Sequence, residues 1–287
     1  MRVTVIGAAG KMGQLFTEYF VKERYSLTLY DIKMLEVEKI ANKFRVNFAN
    51  SLDEAVKSSD VIFVSVPIET TPKVLQEISK FLKKGMIVIE ITSLKSGVIE
   101  TLRKIADLGI ITLSIHPLFG PGAKDLQGRL IALIPIINED NEIAIFHKIF
   151  PKVKMVKLRA DEHDYFMAII LSLTYFANIA LSSTIIEQNP STLRKLAGTN
   201  FKVQLTLIEA ILSEDPELIL SLMKENKFAL NCIQKFIENA KNIYRILHSS
   251  DTSKFKDLIK GIKAELMKDE RYSQSYQDIY RIIDILD

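Results

Sequence analysis

The sequence lacks most of the features that would take it out of the ordinary globular class. Among 287 residues there is one cysteine, Cys232, so no internal disulfide is available to hold a small core together. Neither sign of charge dominates: 38 Lys and Arg stand against 35 Asp and Glu, with the basic residues scattered among acidic ones. Without a basic arm or stripe, a nucleic-acid partner is not expected. No histidine or cysteine pair has metal-ligand spacing, so no metal site is expected. There is no Gly/Ser/Pro-rich linker, internal repeat or low-complexity tract. Met1-Arg2 leads straight into Val3-Thr4-Val5-Ile6 without the layout of a signal peptide, and the expected location is the cytoplasm.

Long apolar runs are scarce as well, with one exception. Residues 165–186 contain no charged side chain, about the length at which a membrane helix must be considered. Ser172, Thr174, Asn178, Ser182, Ser183 and Thr184 interrupt the run, and no Lys/Arg cluster flanks it. A helix buried in a bundle or a dimer core is expected, and no membrane partner.

What is present is a balanced globular composition, 48% hydrophobic and 25% charged, on a chain long enough for two domains. In the first half, short apolar runs at 3–6, 27–30, 61–66, 87–91, 110–115, 130–134 and 153–158 alternate with segments of helical periodicity. Continuous apolar runs mark strands covered on both faces, and parallel neighbours need crossover helices. The expected fold class is α/β: a doubly wound, Rossmann-type sheet over residues 1–160, then an all-helical domain over 161–287. Helices are expected at 161–188, 191–212, 216–247, 252–268 and near 276–286, with Asp215 as an N-cap and Pro216 in the first position. The long helix from 161 is expected to carry the chain from one domain into the other.

The first strand runs into Gly7-Ala8-Ala9-Gly10-Lys11-Met12-Gly13, a variant of the glycine fingerprint in which small residues let the backbone approach a pyrophosphate at a helix N-terminus. Gly7, Ala9, Gly10, Lys11, Met12 and Gly13 are therefore expected to hold a dinucleotide. Asp31, closing the second strand, is placed to accept hydrogen bonds from the adenosine ribose. Its charge favours NAD over NADP, with Lys33 nearby in partial opposition. Ser65-Val66-Pro67 ends the strand beginning at Val61 and is expected to face the same crevice.

Two other strand ends are polar where termination alone does not require it. One runs into Thr92-Ser93-Leu94-Lys95, the other into His116-Pro117-Leu118-Phe119-Gly120-Pro121. Both fall on the carboxyl edge of a doubly wound sheet, so Ser93, Lys95 and His116 are candidates to converge beside a nicotinamide. An imidazole titrates near pH 6.5 and is suited to take the hydroxyl proton of an alcohol that loses hydride. Ser93 could position that hydroxyl or His116, and Lys95 could offer a cation to a carboxylate. His147 and His248 read as surface residues, and His163, in Glu162-His163-Asp164, reads as a structural group opening the long helix.

These blocks together resemble the prephenate dehydrogenase family of tyrosine biosynthesis. The glycine loop is similar to the family's G-G-x-G-Q-M-G form, Glu90-Ile91-Thr92-Ser93-Leu94-Lys95 to its D-x-x-S-V-K motif, and His116 to Pro121 to its H-P-M-F-G-P motif. Glu162-His163-Asp164, Tyr175-Phe176-Ala177-Asn178 and Asp215-Pro216-Glu217-Leu218 extend the likeness into the helical half. The resemblance implies a helical domain that dimerises, and oxidative decarboxylation of prephenate to 4-hydroxyphenylpyruvate, with His116 on the 4-hydroxyl and Ser93 assisting. By the family's pattern a substrate-binding arginine falls at Ala210; Lys202, on the same helix, is the expected partial substitute. A histidine common in the long helix is also absent from Leu171-Ser172-Leu173. The alternatives are an arogenate or β-hydroxy acid dehydrogenase of related fold, which the glycine loop and a basic group near the nicotinamide would also serve, and a non-catalytic NAD-sensing module, against which His116 at a strand end speaks.

Overall fold

A computed structural model describes residues 1–286. The chain divides into two units, Met1–Met167 and the residues from Ala168 onward.

The first unit is built on one sheet of eight strands: β1 (Arg2–Ile6), β2 (Ser26–Tyr30), β3 (Asn47–Phe48), β4 (Val61–Val64), β5 (Ile87–Glu90), β6 (Ile111–Pro117), β7 (Leu130–Ile134) and β8 (Lys154–Lys157). Their order is β3-β2-β1-β4-β5-β6-β7-β8. The strands from β3 to β6 run parallel, β7 turns back antiparallel to β6, and β8 is parallel to β7. The order reverses beside β1, which leaves a crevice at the carboxyl ends of β1 and β4 where this architecture takes its ligands. β3 went unpredicted because two residues are too few to register as a period.

Both faces of the sheet are covered, which is why its strands read as unbroken apolar runs. Val5, Phe63, Ile89 and Leu113 point to one face, against Phe16 and Phe20 of helix Lys11–Lys22 and Phe146 of helix Glu139–Ile149. Ile62, Val64 and Val88 point to the other, against Leu75, Ile78 and Leu102 of helices Thr71–Ser79 and Ile99–Ala106. Phe16 is the hub of an aromatic cluster, its ring centroid 4.5 Å from that of Phe63 and 6.1 Å from that of Phe150.

The helical stretch Ala160–Ile185 carries the chain across the boundary between units, as expected. The first unit extends to Met167, and the opening turns of this helix bond within it through His163 and Asp164. From Ala168 to Leu173 the helix widens to the π form. Within the second unit that segment packs on helices Pro216–Lys224 and Ala229–His248, with the Ser172 hydroxyl donating to the Leu222 carbonyl at 2.6 Å.

Two expected helices are broken. The segment 191–212 divides into Pro190–Leu196 and Thr199–Leu212 where Ala197 and Gly198 are extended, and 216–247 divides into Pro216–Lys224 and Ala229–His248. At the second break the Asn226 side chain accepts the Phe228 N–H at 3.0 Å, a local bond that competes with the helix. Asp215 caps its helix as expected, accepting the Glu217 N–H at 2.9 Å.

The burial expected for the apolar run is not met within a single chain. The Ala160–Ile185 stretch has a mean hydropathy of 1.7 and is long and apolar enough to cross a membrane, yet only 28% of that window is buried. Ile170 is 56% and Ile186 72% exposed, and Leu230, Tyr244, Leu247, Ile259 and Ile262 of the later helices are exposed too.

Phe16→Ala should destabilise the protein by about 3–5 kcal/mol, the cost of emptying a large apolar site in a packed core. Leu35→Ala, at a position 76% exposed, should stay within about 0.5 kcal/mol. Urea unfolding of the two variants measures both.

Candidate active site

β1 ends at Ile6 and the chain turns at once. Gly7 has a φ of 85°, and a Cβ there would stand 2.1 Å from the Ser65 carbonyl oxygen. A Cβ on Gly13 would stand 2.1 Å from the Gly7 carbonyl oxygen, so the two glycines let helix Lys11–Lys22 start flush against the strand end. Gly10 is the N-cap and has no side chain to take up the first-turn N–H groups around Lys11 and Met12. That cradle fits a dinucleotide pyrophosphate. Ala9 N–H donates to Asp31 Oδ2 at 2.9 Å and Lys33 N–H to Oδ1 at 3.0 Å, which pins the carboxylate at the end of β2. An ionised carboxylate offers about four acceptor sites, so capacity remains for ribose hydroxyls. Ser65 N–H pairs with the Ile6 carbonyl at 2.8 Å, and Ser65-Val66 lies directly against Gly7, with Pro67 leading into the short helix Ile68–Thr70. The structure thus brings the expected dinucleotide residues to one sheet edge.

The chemical cluster is built on the ends of β5 and β6. Their register sets Glu90 opposite Ser114, so the residues that follow each strand are neighbours. Glu90 is fully buried and accepts from Lys95 Nζ at 2.7 Å, from the Thr92 N–H and hydroxyl at 2.8 and 2.6 Å, and from the Ser114 hydroxyl. Lys95 Nζ also donates to the Ile115 carbonyl at 2.6 Å. Next along β6, His116 is 7% exposed, and its Nδ1 lies 2.9 Å from Nε2 of His163. His163 Nδ1 in turn lies 2.9 Å from Asp164 Oδ1. His116 Nε2 has no hydrogen bond among the described residues; since no buried side-chain nitrogen or oxygen there lacks a partner, Nε2 reaches solvent.

Burial pushes the His116 imidazole well below its usual pKa of 6.5, and Lys95 and His163 add to the shift against the opposing pull of Asp164. His163 is lowered as well, first by burial and then by Lys95, with Asp164 resisting. Both rings are therefore neutral at neutral pH. Burial would raise the Asp164 carboxyl, but hydrogen bonds from His163, Ser96 and the backbone of Ser96 and Lys95 outweigh it and hold the group below its usual range.

Two expectations need correction. Lys95 is not placed to meet a substrate carboxylate: its side chain is 0% exposed, and its ammonium is spent on Glu90 and Ile115. It is a strut between β5 and β6. His163 does stand in the opening turn of the long helix, but it is also a direct partner of His116, a contact not expected from the sequence. The only sequence sign of this was an acid beside a histidine, Glu162-His163-Asp164, which says nothing about a strand 47 residues earlier. Asp164 and Glu90 were missed as site residues for the same reason. Ser93 is half-buried beyond the end of β5, and its hydroxyl has no partner among the described residues. Lys202 is half-buried on helix Thr199–Leu212 of the second unit, where Ala210 is exposed.

Sheet order, glycine cradle and helical continuation define a Rossmann-type nucleotide-binding domain followed by a helical domain. Family models match both halves: the prephenate dehydrogenase nucleotide-binding domain over residues 20–157 and the prephenate dehydrogenase dimerization domain over residues 159–261. The chain belongs to the prephenate dehydrogenase family. A probable arogenate/prephenate dehydrogenase of Methanocaldococcus jannaschii is 24% identical over 285 residues, 97% of this chain and 64% of that protein. The T-protein of Haemophilus influenzae is 23% identical over 269 residues, 91% of this chain and 66% of that protein. The chain therefore spans less than two thirds of the length of these curated relatives. Prephenate dehydrogenase from A. aeolicus, solved with hydroxyphenyl propionate and NAD+, shares the fold at a TM-score of 0.77 and 21% identity, covering 93% of this chain and 98% of that one.

Gly13→Ala should weaken nucleotide binding by at least about tenfold, because the added methyl group meets backbone and displaces the helix start; calorimetric titration with NAD reads the change. Lys95→Met should cost about 3–5 kcal/mol of stability by stranding the buried Glu90 charge. A Lys95→Met protein with unchanged urea midpoint and a raised KM would instead restore Lys95 as a substrate contact.

Proposed function

We propose that the chain is an NAD-dependent dehydrogenase that oxidatively decarboxylates prephenate to 4-hydroxyphenylpyruvate. The observation that carries this reading is His116: a buried, neutral imidazole at the carboxyl edge of β6 with one nitrogen tied to His163 and the other open. Its open Nε2 accepts the hydrogen bond of the substrate's 4-hydroxyl and takes the proton as the C4–O bond gains carbonyl character. Ser93, with an uncommitted hydroxyl just beyond the end of the neighbouring strand β5, orients that group. NAD, when bound, supplies the hydride acceptor. Loss of the ring carboxylate as CO2 leaves its bonding electrons in the ring, which becomes aromatic as the oxygen takes the proton back from His116, so the protein has only to hold the hydroxyl and start the oxidation, and the step is effectively irreversible.

The preference for NAD over NADP is supported by Asp31, whose charge opposes a 2'-phosphate, and by Lys33, whose ammonium lies 3.9 Å from Glu36 and is partly neutralised there. For the substrate's side-chain carboxylate we assign Lys202 in place of the arginine that Ala210 cannot supply, as a point charge without bidentate geometry. The exposed apolar faces of the second unit support a homodimer that buries them, in a protein of the cytoplasm without membrane or nucleic-acid partners.

Purified protein given NAD and prephenate should produce NADH and 4-hydroxyphenylpyruvate. Turnover of arogenate or another hydroxy acid with none of prephenate overturns the substrate, and NAD binding with no turnover of any of them favours a sensing module. His116→Asn should lower kcat by about 10²–10⁴-fold with NAD affinity retained. Because His116 must be neutral to accept the proton, activity is lost only as pH falls through its lowered pKa. The acid limb of kcat/KM should therefore lie below pH 6.5, with no loss between there and neutrality.

A further inference from the structure

Four donors converge on Asp164, and their chemistry gives the neighbouring hydrogen bonds a direction. Oδ1 accepts the Lys95 N–H at 2.8 Å, and Oδ2 accepts the Ser96 N–H at 2.8 Å and the Ser96 hydroxyl at 2.5 Å. An ionised carboxylate can only accept, so the fourth group, His163 Nδ1, must carry the proton and donate. A neutral imidazole has one N–H, which leaves a lone pair on His163 Nε2. His116 Nδ1, 2.9 Å away, must then donate to it, and the remaining lone pair falls on His116 Nε2, the nitrogen that reaches solvent.

We propose that Asp164 and His163 form a directional hydrogen-bond chain that locks His116 in the tautomer with a bare Nε2, making both of them positioning residues for the base. In the opposite tautomer Nε2 would carry a proton and could only donate to the substrate hydroxyl, which stops it from acting as a base. The same chain receives the charge when His116 takes its proton. The new imidazolium keeps its Nδ1–H bonded to the His163 lone pair, and passing that proton on places the cation beside Asp164. Asp164 also binds the chain at Lys95 and Ser96, so the turn after β5 and the start of helix Ala160–Met167 are held by the group that sets the tautomer. The charged and titratable groups around His116 are Lys95 and Glu90 from the β5 end, and His163 and Asp164 from the helix. Lys95 and Glu90 compensate one another, which leaves the Asp164–His163 pair as the polar link to the His116 ring.

This inference rests on His116 being the base of the proposed dehydrogenase, but its first test does not need turnover. In the full-length wild-type protein labelled with ¹⁵N-histidine, the His116 nitrogens should read as protonated Nδ1 and unprotonated Nε2 at neutral pH, in the presence and absence of NAD. A protonated Nε2 overturns the proposal whatever the substrate is. If wild type turns over prephenate, His163→Leu should lower kcat by about 10²–10⁴-fold with KM within about threefold of wild type. His163→Gln, whose amide oxygen can still accept from His116 Nδ1, should recover at least about tenfold of that loss. A His163→Leu enzyme that is folded, binds NAD and keeps kcat within about threefold of wild type overturns the proposal and leaves the dehydrogenase reading intact. A wild-type protein with the expected tautomer and no turnover of prephenate sinks the substrate reading while the chain stands.

Discussion

The Asp164 carboxylate is the constraint on which the site depends. It is almost wholly buried, and burial by itself would favour its neutral form. Four convergent hydrogen bonds reverse that preference and keep a negative charge inside the protein. The charge has two structural consequences. It stabilises the turn Lys95-Ser96, whose N–H groups have no strand to pair with beyond β5, and it draws the first turn of the long helix onto the sheet edge. Without it His163 Nδ1 would lose the acceptor that fixes its tautomer.

A second buried charge pair works in parallel. Glu90 and Lys95 are each fully buried, and such a pair gains little net stability over apolar residues of the same size. Its value is geometric: Glu90 reaches Ser114 and Lys95 reaches Ile115, so the pair ties the ends of β5 and β6 together immediately before His116. The sheet register and this pair together fix where the strand presents the imidazole. Desolvation then decides its charge, since the cost of burying a cation exceeds the pull of an Asp164 that reaches it only through another ring. A neutral imidazole results in a region dense in charges because those charges are already matched to one another.

The helical half follows a different logic. Its long helix has an apolar surface that one chain covers only in part, and Ile, Leu and Tyr side chains on the helices after it are exposed as well. This half matches a family model described as one for dimerization, and it carries more apolar residues than its own fold buries.

Periodicity and strand-end chemistry made much of the molecule legible. Unbroken apolar runs separated by amphipathic helices can close only as a doubly wound sheet, the glycines at 7, 10 and 13 announce a backbone pressed against a phosphate, and a histidine at the end of β6 must lie on the ligand edge. These are local properties, each written within a dozen residues. The antiparallel return of β7 and the inward turn of Lys95 were decided by tertiary structure. So was the meeting of His116 with His163 across 47 residues, and of Asp164 with Lys95 across 69. The chain by itself determined which groups stand at the edge of the sheet. Only folding decided which of them face each other, because a hydrogen bond between distant segments has no period, and its partners are chosen by the packing that brings the segments together.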